Sequence, residues 1–216
     1  MSSFNKVYTF GCRLNFWESG KINSILNEKG CKNLVVFNTC SVTNEAVKSC
    51  QKAIRLFHKK NPKINIIVTG CGAESDKKLY EEMKEVYKVV KNTDKLIEKT
   101  WTFNKDNKEL LINDTFKRLK KENPSNSGVR KFVSIQNGCN HACTFCIIPA
   151  CRGKSISRNL EHINEEIELN LNNGIKEIIL TGVDITSWGE DLKNNLTFSD
   201  LIEQILNRHK RLLRLR

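Results

Sequence analysis

Three short apolar runs, each closed by a cysteine, constrain the fold more than any other feature: "YTFGC", "VVFNTC" and "IIVTGC", ending at Cys12, Cys40 and Cys71. All three read as strands, the second, "LVVFNTC", as one buried on both faces by its continuous apolarity. The stretches between them have helical periodicity. After Cys12, Leu14, Trp17, Ile22, Ile25 and Leu26 recur at roughly helical spacing before Gly30, which suits the position just past a helix end. After Cys40, Val47, Cys50, Ile54 and Phe57 share one face of a helix over 44–60, with Lys48, Lys52, Arg55 and Lys59 elsewhere on it and Pro62 beyond it. Strands alternating with helices imply a parallel sheet with right-handed crossovers, whose strands end at one common edge. The three cysteines are therefore expected to converge there, where loops build ligand sites. The alternative is that each is a small buried core residue, a common role for free cysteine.

The alternation continues. "ESDKKLYEEMKEV" predicts a helix, "YKVVKN" a fourth strand and "TDKLIEKTWTF" a short closing helix. Residues 104–130 break the pattern with a polar, highly charged stretch that ends in turn-forming residues. The expected organisation is a first domain over 3–104, a linker over 105–127 and a second domain over 128–216. In the second, "RKFVSIQNGC" predicts a strand, "LEHINEEIELNLNNG" a helix ending at Gly174, "KEIILTGVDI" a strand, "TFSDLIEQILNRHK" a helix and "RLLRLR" the start of another strand.

Nine cysteines are an odd number and many for a reducing compartment, where metal ligands, reactive thiols or core positions outweigh disulfides. No apolar run approaches the roughly 20 residues needed to span a bilayer, and "MSSFNKVYTF" lacks the apolar core of a signal peptide, so the expectation is a cytoplasmic protein without a membrane partner. A net charge of +12, from 36 basic against 24 acidic residues, favours a polyanionic partner such as RNA; a solvated charged surface is the alternative.

A second constellation lies in "NGCNHACTFCIIPACRGK": Cys139, Cys143 and Cys146 form a C-x3-C-x2-C loop after a strand. Three thiolates on one short loop can hold three irons of a cubane cluster and leave the fourth open to another ligand. Zinc is the alternative, although it usually takes four N/S ligands or two separated pairs. Cys151 stands outside both triads and reads as an incidental small residue near the cluster, Cys50 as core, Cys31 as structural and His141 as a solvent-facing loop histidine.

"NGCNHACTFC", with the aromatic Phe145 before its last cysteine, resembles the radical S-adenosylmethionine signature, and the whole chain resembles the methylthiotransferases. The resemblance implies an α/β fold: an amino-terminal parallel-sheet βα domain followed by the first part of a radical S-adenosylmethionine (βα) partial barrel. It implies two 4Fe–4S clusters, one on Cys12, Cys40 and Cys71 and the other on Cys139, Cys143 and Cys146. "TFGCRLN", "NTCSVTNEAVKSCQKAIR" and "LTGVDITSWGEDL" resemble the branch that methylthiolates C2 of N6-threonylcarbamoyladenosine in tRNA. The isopentenyladenosine and ribosomal-protein branches are the alternatives within the family. A non-enzymatic iron–sulfur electron carrier, with Cys151 as a fourth ligand, is the alternative outside it.

On that resemblance the second cluster cleaves S-adenosylmethionine to a 5′-deoxyadenosyl radical able to activate the unreactive C2–H of adenine. No acid–base dyad is required, and no catalytic side chain is assigned. The first cluster would handle sulfur. Phe145 and, at a strand's carboxyl end, Thr181, Gly182 and Asp184 are candidates for the cofactor site; a simple strand-ending turn is the alternative for the last three. The expected partners are the tRNA anticodon loop, where the base can be unstacked without opening a duplex, and an electron-donor protein. The basic face of the 44–60 helix and the "FKRLKK" segment are candidates for phosphate contacts. The family pattern continues beyond Arg216, so the expectation is a carboxyl-terminally truncated chain.

Overall fold

A computed structural model of the protein describes residues 5–101, 128–193 and 195–216. They fall into two compact units, the first within Met1–Ile112 plus Cys143–Arg152 and the second within Asn113–Ala142 plus Gly153–Arg216. The sequence-predicted linker over 105–127 and the "FKRLKK" segment lie outside the described residues. Among the described residues, no helix is long and apolar enough to cross a membrane.

In the first unit, β1 (Asn5–Thr9), β2 (Leu34–Thr39), β3 (Asn65–Gly70) and β4 (Lys88–Val89) form one parallel sheet in that order. Every residue of β2 is buried, as its continuous apolar run requires. Two long helices follow the first two strands: α1 (Arg13–Glu28), which buries Leu14, Trp17, Ile22, Ile25 and Leu26, and α2 (Asn44–Lys60). The Thr43 side chain accepts a hydrogen bond from the Ala46 N–H and starts α2, whose Cys50 and Ile54 enter a core with Val35, Phe37, Ile66 and Val68. Cys50 is thus a core residue, and burial pushes its thiol up to about 12.

The expected helix after Cys71 divides into α3 (Cys71–Ser75) and α4 (Lys77–Glu81). The break is at Asp76, which leaves helical geometry at φ −143°, ψ 74° and whose carboxylate accepts from the Leu79 N–H to start the next turn. The fourth strand shortens to two residues. The expected closing helix becomes turns and a 3-10 segment, Glu98–Trp101, anchored by the buried Trp101 indole donating to the Lys95 carbonyl. A further short helix, α5 (Ile148–Arg152), belongs to this unit, and its Cys151 and Arg152 are buried.

The second unit has a parallel sheet of β5 (Arg130–Ser134), β8 (Glu177–Thr181) and β9 (Arg214–Leu215) in the order β5-β8-β9. Sequence periodicity did not anticipate its small antiparallel pair, β6 (Gln136–Asn137) with β7 (Ile156–Ser157). Helices α6 (Leu160–Asn172) and α7 (Phe198–Arg208) pack Ile163, Ile167, Leu201 and Ile205 with Val133, Ile135, Ile178 and Leu180. A reciprocal capping box between Thr197 and Asp200 starts α7.

Candidate metal centres

Sheet register sets the first site. Asn38 of β2 pairs with both Thr9 of β1 and Thr69 of β3, and Thr39 pairs with Gly70, so three adjacent strands end at nearly the same level. Neighbouring strands are about 4.8 Å apart. Cys40 and Cys71 directly follow the last paired residues of β2 and β3, and Cys12 caps α1 after a turn at Gly11, where φ is +104°. A Cβ built on Gly11 would lie 2.6 Å from the Cys40 Cβ and 2.7 Å from its Sγ, and one on Gly72 would lie 2.9 Å from the Cys40 carbonyl oxygen. Gly11 and Gly72, the neighbours of Cys12 and Cys71, therefore both lie close to Cys40. All three residues stand at one sheet edge, with Cys12 exposed and Cys40 and Cys71 buried. An all-thiol donor set suits an iron–sulfur cluster, and glycine at 11 and 72 leaves free the space beside Cys40 that a side chain would fill.

Polar side chains hold that edge in place. The Asn15 amide donates to the carbonyls of Phe10 (2.7 Å) and Thr39 (3.0 Å), and the Asn38 amide donates to the Asn15 carbonyl (3.0 Å) and the Ser19 hydroxyl (3.0 Å). The Thr39 hydroxyl donates to the Thr69 carbonyl (2.7 Å) and accepts from the Ala73 N–H (2.9 Å).

Three buried charges lie in the same unit. The Glu18 carboxylate takes Lys95 Nζ at 2.6 Å on one oxygen and an Arg152 guanidinium nitrogen at 2.8 Å on the other. Arg152 also donates to Asn15 Oδ1 at 2.6 Å, and Lys95 to Asn38 Oδ1 at 3.4 Å. Burial works most strongly against the charge on Glu18, yet Arg152 and Lys95 together outweigh it and hold the carboxyl below its usual value. Burial lowers Lys95; it also opposes the charge on Arg152, but Glu18 prevails there and raises it. Burial pushes the Cys71 thiol up, against the pull of Arg152 and Lys95. Cys151 is buried with its Sγ 3.5 Å from the Cys71 carbonyl oxygen and 3.8 Å from the Ser41 hydroxyl. Cys31 donates to the Trp101 carbonyl at 3.6 Å.

The second candidate site begins in the second unit. Gln136 ties its loops together: its amide nitrogen donates to the Gly138 carbonyl (2.7 Å) and the Ser155 hydroxyl (2.8 Å), while its oxygen accepts from the N–H groups of Val183 and Asp184 (both 2.9 Å). Gly138, at φ +75°, passes so close to the chain that a Cβ would lie 1.9 Å from the Lys154 carbonyl oxygen. Cys139 then donates its backbone N–H to the Gly153 carbonyl at 3.0 Å. Thr181 is buried at the end of β8, Gly182 abuts Gln136, and Asp184 holds His141 at 3.0 Å.

His141 is exposed, as its loop position predicts, but it has this carboxylate partner. The ligand atoms of Cys139, His141 and Asp184 all lie within 4.8 Å of one another, close enough for a single ion. Cys143 and Cys146 belong to the first unit, in a turn closed by the Cys146 N–H on the Cys143 carbonyl at 3.1 Å. Phe145 beside them is 93% exposed.

Sequence reasoning missed Gln136 and the Glu18, Lys95 and Arg152 group. Lys95 and Arg152 stand 77 and 134 positions from Glu18, so no local pattern signals the pairing. The inward position of Glu18, beside the apolar Trp17 on α1, was the one available hint.

Residues 5–92 match the family described as "Uncharacterized protein family UPF0004", and residues 133–212 match the radical SAM superfamily. The chain is 40% identical over 98% of its length to the threonylcarbamoyladenosine tRNA methylthiotransferase MtaB of Rickettsia prowazekii, covering 51% of that protein. It is 34% identical over 92% of its length to the ribosomal protein uS12 methylthiotransferase RimO of Carboxydothermus hydrogenoformans, covering 48% of that one. It thus spans about half the length of the relatives it matches. Among solved structures, the radical S-adenosylmethionine methyltransferase TsrM of Kitasatospora setae superposes with a TM-score of 0.64 over 99% of this chain and 54% of its own, at 13% identity, a likeness of fold. The radical SAM match implies S-adenosylmethionine and a 4Fe–4S cluster. With the two matched domains in this order, the chain is similar along nearly its whole length to methylthiotransferases, and its residues 133–212 match the radical S-adenosylmethionine superfamily.

Proposed function

We propose that the protein is a tRNA methylthiotransferase that adds a methylthio group to C2 of N6-threonylcarbamoyladenosine next to the anticodon, using two 4Fe–4S clusters. Cys12, Cys40 and Cys71 would hold one cluster, and Cys139, Cys143 and Cys146 the other. The observation that carries the reading is the gathering of three strand-end cysteines at one sheet edge, in a chain that also has a C-x3-C-x2-C loop. Clusters and S-adenosylmethionine, when bound, supply the one-electron and group-transfer chemistry that side chains lack.

The protein's own residues bind and orient. Gln136 fixes the 182–184 loop to the turn that carries Cys139, so Thr181, Gly182 and Asp184 present a preset surface to S-adenosylmethionine. Phe145, largely in solvent, is available to cover the cofactor or stack on a base. Lys48, Lys52, Arg55 and Lys59 are all exposed on α2 and suit tRNA phosphates. An electron-donor protein completes the set of partners, and the stretch over 105–127 serves as the linker between domains spanning 3–104 and 128–216.

The threonylcarbamoyl branch rests on "GCRLN", "NTCSVTNEA" and "TGVDIT", and on higher identity to a relative of that name than to the ribosomal-protein one. An electron carrier needs a fourth thiolate on the loop cluster, and Cys151 is a poor source because its thiol is buried against the Cys71 carbonyl.

Mass spectrometry of tRNA nucleosides tests the substrate. Cells lacking the protein should lose the methylthio group from threonylcarbamoyl-modified adenosines and keep it on isopentenyl-modified ones. The opposite pattern overturns the branch, and loss from a ribosomal protein with both nucleosides intact overturns RNA as the substrate.

A further inference from the structure

The sheet that gathers Cys12, Cys40 and Cys71 has a fourth strand. The first three runs, "YTFGC", "VVFNTC" and "IIVTGC", end in cysteine, and the fourth, "YKVVKN", ends in Asn92. β3 and β4 pair in parallel through Val68 and Val89, and the Val90 N–H continues the ladder onto the Val68 carbonyl at 2.8 Å. Val68 and Val89 stand three residues before Cys71 and Asn92, so the register brings these two to the same level of the sheet edge. The side chains meet there, with Asn92 Nδ2 3.9 Å from the Cys71 Sγ.

Asn92 is 7% exposed and is held from two sides. Its backbone N–H donates to a Glu74 carboxylate oxygen at 2.8 Å, and its amide nitrogen donates to the Cys151 carbonyl on α5 at 2.7 Å. A carbonyl oxygen only accepts, so the second contact fixes which end of the carboxamide faces it. The nitrogen carries two hydrogens; one goes to Cys151 and the other is left for the Cys71 sulfur. The oxygen, at the other end of the group, is buried without a hydrogen-bond partner among the described residues. A buried acceptor left unpaired costs stability, which an apolar side chain of the same size would avoid. What the nitrogen does, rather than packing, therefore accounts for an asparagine here.

The Cys40 sulfur has a comparable donor, the Val42 backbone N–H at 3.5 Å. A thiolate accepts a hydrogen bond more strongly than a thiol does, and hydrogen bonds to the sulfurs are among the levers that set iron–sulfur potentials. A donor aimed at a ligating sulfur stabilises the negative charge that one-electron reduction adds. We infer that Asn92 is a positioning residue that holds the Cys71 sulfur and raises the reduction potential of the cluster on Cys12, Cys40 and Cys71. The inference rests on the cluster assignment proposed above.

The test is a redox titration with dithionite as reductant, followed by electron paramagnetic resonance. It uses the chain reconstituted anaerobically with iron and sulfide, with Cys139, Cys143 and Cys146 changed to alanine so that one cluster reports. Asn92→Leu keeps the bulk of the side chain and removes the donor; it should make reduction harder by about tenfold in the one-electron equilibrium, or about 59 mV downward. Asn92→Asp keeps the shape as well. Whether its carboxyl is ionised or protonated onto the Cys151 carbonyl, no hydrogen is left for the sulfur, and the potential should fall by at least as much.

A side chain that only ties α5 in place would change the unfolding midpoint of these variants and leave the potential where it was, and that result overturns the inference. So does an upward shift in either variant. Should Asn92→Leu fail to load iron, Asn92→Asp decides alone; should neither load while the parent does, Asn92 is a structural residue and the inference fails. Failure of the parent chain to bind iron at this triad instead overturns the cluster assignment.

Discussion

Cys40 and Cys71 are buried residues that leave adjacent parallel strands, whereas Cys143 is exposed on a loop whose neighbouring Phe145 is 93% in solvent. The strand-end triad joins positions 28 and 31 residues apart, so its geometry depends on the register of a whole sheet and on the polar side chains that lock it. The loop triad spans only Cys139 to Cys146, so its spacing is written in one short stretch of sequence. The difference teaches that the first site should depend on the fold and tolerate little change around it. The second should be locally encoded and sensitive chiefly to its own cysteines.

The sharpest way to break this comparison is to remove one ligand from each triad. Cys143→Ala should reduce S-adenosylmethionine cleavage to background, while Cys40→Ala should leave cleavage measurable and abolish methylthio transfer to tRNA, read by nucleoside mass spectrometry in complemented cells. Equal loss of cleavage in both would erase the distinction.

A smaller effect tests the fold dependence. Glu18→Ala strands Lys95 and Arg152 without their carboxylate and should destabilise the first unit by about 3–5 kcal/mol in a urea titration. A change under about 1 kcal/mol would mean that the buried charges do not organise the strand-end site.

The smallest effect sharpens the comparison within the second unit. Gly138 and Gly153 both have positive φ, but an added Cβ meets the Lys154 carbonyl oxygen at 1.9 Å in the first case and nothing within 4 Å in the second. Gly138→Ala should therefore cost about 1–3 kcal/mol and disturb Cys139, while Gly153→Ala should cost about 1 kcal/mol or less. Unfolding midpoints of the two variants, with iron content beside them, separate backbone strain from collision.

How much was legible in the sequence follows from the range of each interaction. The apolar runs before Cys40 and Cys71 revealed the parallel sheet because a buried strand leaves a continuous local signal, whereas the run before Cys12 forms the edge strand β1, with Lys6 exposed and Val7, Tyr8 and Thr9 half-buried. The helix after Cys71 was misread as one element because Asp76 supports a break without a glycine or proline to mark it. The β6–β7 pair escaped notice because two-residue strands carry no periodicity. At the candidate sites, the spacing of Cys12, Cys40 and Cys71 pointed to the one sheet edge where register places them, but the charged group of Glu18, Lys95 and Arg152 was invisible because the partners meet only in the folded chain. His141 looked like an ordinary loop histidine because its partner Asp184 follows a different strand.

That last contact also defines the rival occupant, a single zinc ion on Cys139, His141 and Asp184. Iron, sulfide and zinc analysis after anaerobic reconstitution therefore tests the central claim of two clusters most directly. The account predicts about eight irons per chain, about four when either triad is changed to alanine, and no change in Cys151→Ser, whose buried thiol lies against the Cys71 carbonyl. A chain that saturates with zinc and retains no iron, or one that stops at about four irons and keeps them when Cys12, Cys40 and Cys71 are replaced, would contradict it.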